Sequence, residues 1–237
     1  MPVELTLERR PEALLLDAGD TLLFLDAAAI CTALAVEGVQ LAAAAIHAGS
    51  HAAKQRYQQA LARGEKHDDG WAVLVHELLV QAGLDGIAAR RLLPALRRVH
   101  DDFYFWRRVP EGLPEALARA RAAGLRLGVV SNSEGRLASV LARVGIAAHF
   151  EFVIDSHLEG VHKPDPEIFR RALARLQIAP ERAIYAGDIP EVDVLGARAA
   201  GMAGVLVDAF DHHADSSWPR VRSVQALIDG LLALPRS

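Results

Sequence analysis

Short apolar runs alternate with helix-like stretches along most of this chain, and this alternation constrains the fold more than any other feature. Each run of Leu, Val, Ile or Ala is long enough for a buried strand, and most helix-like stretches end at a glycine. The strand-like runs are residues 13–16, 125–130, 150–154, 183–186 and 203–207. The helix-like stretches that alternate with them are residues 113–123, 134–144, 166–176, 192–200 and 224–234. This order predicts an α/β fold with a doubly wound, parallel, Rossmann-like sheet.

A long helical block separates the first strand from the others. Apolar residues recur at three and four spacing in residues 27–36, 41–63, 71–82 and 87–106, and no strand-like run interrupts them. We therefore expect a core domain made of residues 1–23 and 107–237, with an all-helical domain inserted at residues 24–106. Ligands of open parallel sheets bind outside the carboxyl ends of the strands, so we expect the insertion to cover that crevice as a cap.

Composition excludes several classes of protein. The chain has 237 residues, 51% of them hydrophobic, and a formal net charge of −4, which is typical of a globular protein without bulk attraction to nucleic acid or anionic membranes. The single cysteine, Cys31, excludes an intrachain disulfide. The charged residues among the first twelve do not fit a secretory signal, and no apolar run is long enough to cross a bilayer. We expect a cytoplasmic protein, and its oligomeric state is not indicated.

Polar residues follow the predicted strands at the points where they end. Because the carboxyl ends of parallel strands meet at one edge of a sheet, these side chains are expected to lie together. They are Asp17, Ser131, Asn132, Lys163, Asp188 and Asp193. Carboxylates on one rim repel each other unless a cation lies between them, and Mg²⁺ prefers such hard oxygen ligands. A lysine and a hydroxyl suit the oxygens of a phosphoryl group, and a carboxylate can act as a nucleophile.

The motifs around these residues resemble those of the haloacid dehalogenase-like (HAD) hydrolase superfamily, in particular members with a helical cap after the first strand. Four motifs occur in the family's order, each after its expected strand, and together they span nearly the whole chain. They are Asp-Ala-Gly-Asp-Thr-Leu at 17–22, Val-Ser-Asn at 130–132, Lys-Pro-Asp-Pro-Glu-Ile-Phe at 163–169, and Gly-Asp at 187–188 with Asp193 and Gly-Ala-Arg-Ala-Ala-Gly-Met at 196–202.

This resemblance implies Mg²⁺-dependent hydrolysis of small phosphorylated metabolites through an aspartyl-phosphate. Asp17 would be the nucleophile, and Asp17 and Asp188 would hold Mg²⁺ with help from the carbonyl group of Gly19. Asp193 would support the metal shell, through water or through Lys163. Lys163 would neutralise Asp17 and the phosphoryl charge, and Ser131, Asn132 and Lys163 would form the phosphate-binding set.

One position departs from the family pattern. Phosphatases of this family usually carry a second Asp two residues after the nucleophile, where it serves as general acid and base. Here that residue is Gly19, and a carboxylate follows one position later, at Asp20. A positioned acid/base typically contributes about 10²–10⁴-fold to the rate. Asp20, a cap residue, water or the substrate itself could take the role, or the substrate could have a good leaving group.

Two other functions stay open at this point. In the dehalogenase branch the same nucleophile attacks a halogen-bearing carbon without a metal, but that branch typically has Tyr where this chain has Gly19, and Ser and Asn at the Gly187–Asp188 motif. A catalytically silent relative that binds a phosphorylated ligand is the second alternative, and Gly19 is the reason for it.

Some of these residues also have ordinary structural explanations. Ser131 could cap a helix that begins at Glu134, Asp193 could cap the next helix, and Thr21 is expected to fasten the turn after Asp17.

Overall fold

The computed structural model describes residues 7–63 and 67–236. The predicted domain bounds at residues 1 and 237 therefore lie outside the described residues. So do the first six of the twelve residues that do not fit a secretory signal. The chain divides into two compact units. One runs up to Phe24 and resumes at Arg108, and the other is Leu25–Arg107.

The first unit is built on a six-stranded, wholly parallel sheet. Its strands are β1 (Ala13–Leu16), β4 (Arg126–Ser131), β5 (Phe152–Asp155), β6 (Ala183–Gly187), β7 (Ala203–Val207) and β8 (Arg220–Val221). Across the sheet they lie in the order β5-β4-β1-β6-β7-β8. Ala13 pairs with Arg126 on one side and with Ala183 on the other, so β1 lies between β4 and β6. The strand order reverses around β1, which is where open parallel sheets bind ligands.

Helices connect these strands, as expected for parallel pairing. They are α5 (Leu113–Ala122), α6 (Leu137–Arg143), α7 (Ser156–Glu159), α8 (Pro166–Leu176), α9 (Leu195–Ala199) and α10 (Val224–Ala233). Apolar residues of α8 and α9, among them Phe169, Leu173 and Ala197, pack on the sheet face that carries Leu15 and Tyr185. The predicted α/β fold class is confirmed.

The second unit is helical. Its helices are α1 (Ala27–Val36), α2 (Ala43–Ala62), α3 (His67–Gln81) and α4 (Gly86–Phe103). Their apolar faces form one core that includes Ile30, Leu34, Ile46, Trp71 and Leu78. No described helix combines the length and the hydropathy that crossing a bilayer requires.

The prediction of an uninterrupted helix to residue 106 is wrong. Helix α4 ends at Phe103, and Tyr104 has a positive φ of 53°, which a helix cannot continue through. Trp106–Arg108 forms strand β3, which pairs with β2 (Phe24–Leu25) in a two-stranded sheet. Local apolar spacing cannot reveal this pairing because the two strands are about eighty residues apart in the chain. The short edge strand β8 was also not predicted.

Arg10 links the chain before β1 to the end of the last helix. Its guanidinium donates to the carbonyl oxygens of Leu231 (3.2 Å), Leu232 (2.6 Å) and Leu234 (3.2 Å). The end of a helix leaves its last carbonyl groups without the usual backbone donors, although Leu231 also accepts from the N–H of Leu234 at 3.2 Å. Arg10 therefore acts as a C-terminal cap from more than two hundred residues away.

Replacing Arg10 by alanine is expected to lower the free energy of unfolding by about 1–3 kcal/mol, because several carbonyl groups lose charged donors at once. Urea denaturation would measure the change. Arg9→Ala is the matched control, since Arg9 is an exposed neighbour of the same type, and its effect is expected to stay within about 0.5 kcal/mol. Equal effects of both substitutions would contradict the capping role.

Candidate active site

Three neighbouring strands end in polar residues at the same edge of the sheet. Asp17 follows β1 directly, Ser131 is the last residue of β4, and Asp188 follows β6. The backbone N–H of Asp17 donates to the carbonyl oxygen of Ala186 at 2.9 Å, which ties the end of β1 to β6. Because β1 lies between β4 and β6, the residues that end these strands lie side by side at one edge of the sheet.

Three carboxylates come together there. Asp17, Asp188 and Asp193 each place one carboxylate oxygen within 4.8 Å of the others. Asp17 and Asp193 are buried, and Asp188 is half-buried. Asp193 reaches this position on a wide helical turn, Pro190–Val194, that precedes α9. Asp20 is not a member of this carboxylate group.

Lys163 is the cation at the centre of the site. Its Nζ donates to Asp17 Oδ1 at 2.6 Å, to Asp193 Oδ1 at 2.6 Å and to the hydroxyl oxygen of Tyr185 at 2.8 Å. The lysine side chain is only 2% exposed. This side chain therefore joins the loops that follow β1, β5 and β6 through one ammonium group.

The electrostatics of this group keep the lysine charged. Burial acts to lower the pKa of Lys163, but attraction to Asp17 and Asp193 and hydrogen bonds to both outweigh it, so the pKa stands above its usual value. Burial raises the pKa of Asp193, while Lys163 opposes that rise. A buried ammonium and its carboxylates thus stabilise one another's charged forms.

Tyr185 is a member of the site that the sequence analysis did not identify. Burial raises the pKa of its hydroxyl well above the usual value, and the charges of Asp193 and Asp17 raise it further. The hydroxyl is therefore protonated, and its nearest acceptor is the carbonyl oxygen of Val130 at 2.7 Å, with Asp193 Oδ1 farther away at 3.3 Å. Its oxygen then faces Lys163 as an acceptor. Only its position in β6, two residues before Gly187, could have marked it in the sequence.

Gly187 makes room for Asp193. A Cβ atom at position 187 would lie 2.3 Å from Cγ of Asp193, closer than non-bonded atoms approach. The second oxygen of Asp193, Oδ2, accepts from the backbone N–H of Ile189 at 2.9 Å. At the end of β6, Gly187 is therefore needed for space, and Asp188 supplies a carboxylate to the site.

Asn132 holds the backbone of Lys163. Its Nδ2 donates to the Lys163 carbonyl oxygen at 3.0 Å, and its Oδ1 accepts from the Lys163 N–H at 2.8 Å. Both polar atoms of this side chain thus bond the peptide groups of the lysine. The role of Asn132 in phosphate binding stays a prediction. What the contacts show is that its side chain positions the backbone of Lys163.

Asp155, at the end of β5, organises the loop that follows Ser131. Its carboxylate accepts from the hydroxyl of Ser133 at 2.5 Å, from the N–H of Gly135 at 2.9 Å and from the N–H of Leu137 at 3.2 Å. Helix α6 begins only at Leu137, and the residue before it makes no side-chain capping bond. The interpretation of Ser131 as a cap for a helix beginning at Glu134 is therefore wrong.

The turn after Asp17 is closed mainly by the backbone. The N–H groups of Leu22 and Leu23 donate to the carbonyl oxygen of Ala18 at 2.9 and 2.8 Å. Asp20 has a φ of 53° and donates its N–H to the Leu23 carbonyl oxygen at 2.8 Å. The buried hydroxyl of Thr21 has no hydrogen-bond partner among the described residues, so it does not fasten this turn as expected.

The donor set fits one divalent cation. Three carboxylates and one ammonium leave a net charge of −3 + 1 = −2 on this group. Both carboxylate oxygens of Asp193 accept hydrogen bonds, one from Lys163 and one from the N–H of Ile189. In Asp17, only Oδ1 accepts from Lys163. Asp17 and Asp188 are therefore the carboxylates suited to direct contact with Mg²⁺, which usually takes one or two from a protein.

Known proteins carry the same combination of sequence and fold. The haloacid dehalogenase-like hydrolase family model matches residues 11–201, most of the chain. The chain belongs to the haloacid dehalogenase-like hydrolase family. The family resemblance seen in the motifs is thereby confirmed.

Relatives of this HAD hydrolase include proteins with phosphatase names. Haloacid dehalogenase-like hydrolase domain-containing protein 3 is 34% identical over 180 residues in Mus musculus, covering 73% of this chain and 70% of the relative. The Bos taurus protein is 38% identical over 150 residues, covering 62% of this chain and 59% of the relative. A phosphoserine phosphatase from Thermus thermophilus is 42% identical over 116 residues, 47% of each chain. The HAD hydrolase thus spans about three-fifths of the bovine relative and about half of the Thermus one.

Solved structures share its fold. A HAD hydrolase from Bacillus subtilis, bound to magnesium, has a TM-score of 0.70 and 22% identity, covering 94% of this chain and 99% of that one. A dehalogenase structure with an intermediate complex reaches 0.69 at 17% identity, covering 96% and 99%. A magnesium-bound HAD hydrolase and a dehalogenase therefore share this fold.

Asp155→Asn is expected to lower the free energy of unfolding by about 1.5–3 kcal/mol, because an amide nitrogen would face N–H donors that now bond a charged acceptor. Asp165→Asn is the matched control. Asp165 caps α8 by accepting from Glu167 N–H at 2.9 Å, and asparagine caps a helix as well as aspartate does. Chemical denaturation of both variants tests the difference, and a loss as small in Asp155→Asn as in the control would contradict it.

Proposed function

We propose that this HAD hydrolase is a Mg²⁺-dependent phosphatase that acts on small phosphorylated metabolites through an aspartyl-phosphate on Asp17. The observation that carries the proposal is the pairing of Asp17 and Asp188 beside the buried ammonium of Lys163. That arrangement offers a nucleophile, a place for a divalent cation and a fixed positive charge. The phosphatase names of relatives, phosphoserine phosphatase and glyceraldehyde 3-phosphate phosphatase, support the substrate class.

The residues would divide the reaction into two displacements. A carboxylate oxygen of Asp17 forms a bond to phosphorus, and the leaving-group oxygen departs with the electron pair of its P–O bond and takes a proton from water. A water molecule then attacks phosphorus and gives a proton to the solvent, the bond to Asp17 breaks with its electron pair returning to the carboxylate, and phosphate is released. Lys163 would stabilise the carboxylate before and after transfer, and Ser131 would bind a phosphoryl oxygen. Bound Mg²⁺ would neutralise charge on the transferred group.

We further propose that Leu25–Arg107 serves as the cap domain and selects the leaving group. The helical character of this unit and its insertion after β1 support that role. Cytoplasmic location and the absence of a nucleic-acid or membrane partner stay predictions from composition.

The test is phosphate release from p-nitrophenyl phosphate and acetyl phosphate, with and without Mg²⁺. Neither leaving group needs strong protonation, so the result does not depend on the general acid that is missing at Gly19. We expect Mg²⁺-dependent turnover that falls at least about 10³-fold in Asp17→Asn, because the nucleophile is lost. Asp188→Asn is expected to abolish most of the stimulation by Mg²⁺.

Asp229→Asn is the matched control, since Asp229 is an exposed aspartate on α10 that pairs with Arg119, and it should behave as wild type. Full, metal-stimulated activity in Asp188→Asn would refute the metal assignment. Halide release from 2-haloacids with metal chelated, and no phosphate release, would identify a dehalogenase instead. Tight phosphate binding without turnover of either compound would identify a silent relative.

Gly19→Asp is expected to raise the turnover of alkyl phosphates relative to p-nitrophenyl phosphate by about tenfold or more. A carboxylic acid at this position could protonate a poor leaving group, which p-nitrophenolate does not require. The ratio of kcat/KM for the two substrates measures the effect. Gly19→Asn has a side chain of the same size without the acid and should leave the ratio unchanged, and an equal rise in both variants would contradict the acid role.

A further inference from the structure

Three protein acceptors surround the Lys163 ammonium. A lysine ammonium carries three N–H donors and no acceptor. In this structure three protein acceptors lie within hydrogen-bond distance of Nζ, namely Asp17 Oδ1, Asp193 Oδ1 and the hydroxyl oxygen of Tyr185. The first two acceptors carry charge and belong to the carboxylate group. The third acceptor is neutral and has no assigned function.

Hydrogen bonds hold the Tyr185 hydroxyl in this role. It has one proton and two acceptors within reach, the Val130 carbonyl oxygen at 2.7 Å and Asp193 Oδ1 at 3.3 Å. The shorter distance favours Val130, and either choice leaves a lone pair of the hydroxyl oxygen for Lys163. The side chain is fully buried, and apart from these bonds its ring packs edge to face on Phe169, with centroids 4.9 Å apart. Moving the hydroxyl away from Lys163 would cost the ammonium one of its three buried acceptors.

We propose that Tyr185 is a positioning residue that fixes the Lys163 ammonium against Asp17. This inference rests on the proposed function for its catalytic part. Three acceptors around one ammonium define its position fully, whereas two would leave it free to rotate about the remaining pair.

An ordinary core tyrosine would have a different consequence. If Tyr185 served only to fill space between β6 and α8, phenylalanine would fill the same space, and loss of the hydroxyl would change stability alone. A positioning role instead predicts a loss of kcat without a loss of substrate affinity, because the charge near Asp17 is misplaced while the phosphate donors stay intact.

The decisive variant is Tyr185→Phe, assayed with p-nitrophenyl phosphate and with inorganic phosphate as the inhibitor. We expect kcat to fall about tenfold, as for the loss of one hydrogen bond to a charged group, with KM and the inhibition constant of phosphate within about twofold of wild type. Phe169→Leu is the matched control. It disturbs the same ring contact and leaves the hydroxyl in place, so it should lower the melting temperature and keep kcat.

A second measurement does not depend on activity. The chain has three lysines, Lys54, Lys66 and Lys163, so protein labelled with ¹⁵N-lysine gives at most three side-chain ammonium signals in NMR spectra. We expect the Lys163 signal, identified by its absence in Lys163→Met, to be protected from exchange with water in wild type and in Phe169→Leu. Tyr185→Phe should speed its exchange or broaden it.

The outcomes separate this inference from the proposed function. Wild-type kcat and an unchanged Lys163 signal in Tyr185→Phe would overturn the inference while Asp17→Asn could still abolish turnover. A rise in KM and in the phosphate inhibition constant at constant kcat would also overturn it, because the hydroxyl would then act on substrate binding and not on the charge beside Asp17. If Asp17→Asn retained turnover, the proposed function would fail, and the NMR signal alone would still decide whether Tyr185 fixes the ammonium.

Discussion

The buried ammonium of Lys163 is the interaction on which the rest of the site depends. Asp17 and Asp193 are both buried, and two buried carboxylates close together repel each other and lose the hydration that water provides. Lys163 offsets that cost by bonding both at 2.6 Å. Removing this one charge would leave two carboxylates uncompensated, so the loops after β1, β5 and β6 hold their arrangement around a single nitrogen atom.

The surrounding structure serves to place that nitrogen. Asn132 bonds the backbone of Lys163 from both sides, Gly187 leaves space for Asp193, and Tyr185 supplies the third acceptor. Asp155 gives the same kind of support to the loop after Ser131. A reactive group held in this way loses little energy to reorganisation when charge develops during a reaction, which is how preorganised sites favour their transition states.

The charge that remains on this group accounts for the proposed metal. One ammonium cannot balance three carboxylates, and a divalent cation between Asp17 and Asp188 would do so. Lys163 and the proposed metal would then have separate tasks, since the lysine is bonded to three protein acceptors while a metal would contact the substrate directly. In the proposed reaction no residue is assigned to protonate the leaving group, because Gly19 has no side chain. The acidity of the leaving group would then help to set the rate.

The sequence alone was sufficient for the fold class and for most of the candidate site, because both depend on local patterns. Buried parallel strands are continuous apolar runs, as in Ala13–Leu16, and residues just after such strands necessarily meet at one edge. The contributions of Tyr185 and Asp155, the end of α4 and the pairing of β2 with β3 required tertiary structure. In the sequence, a tyrosine within a strand cannot be told from other core residues. A strand of two residues, such as β2, is too short to show an alternation of apolar and polar residues. Their roles come from partners far along the chain, and a hydrogen bond between distant residues leaves no repeat in the sequence from which it could be predicted.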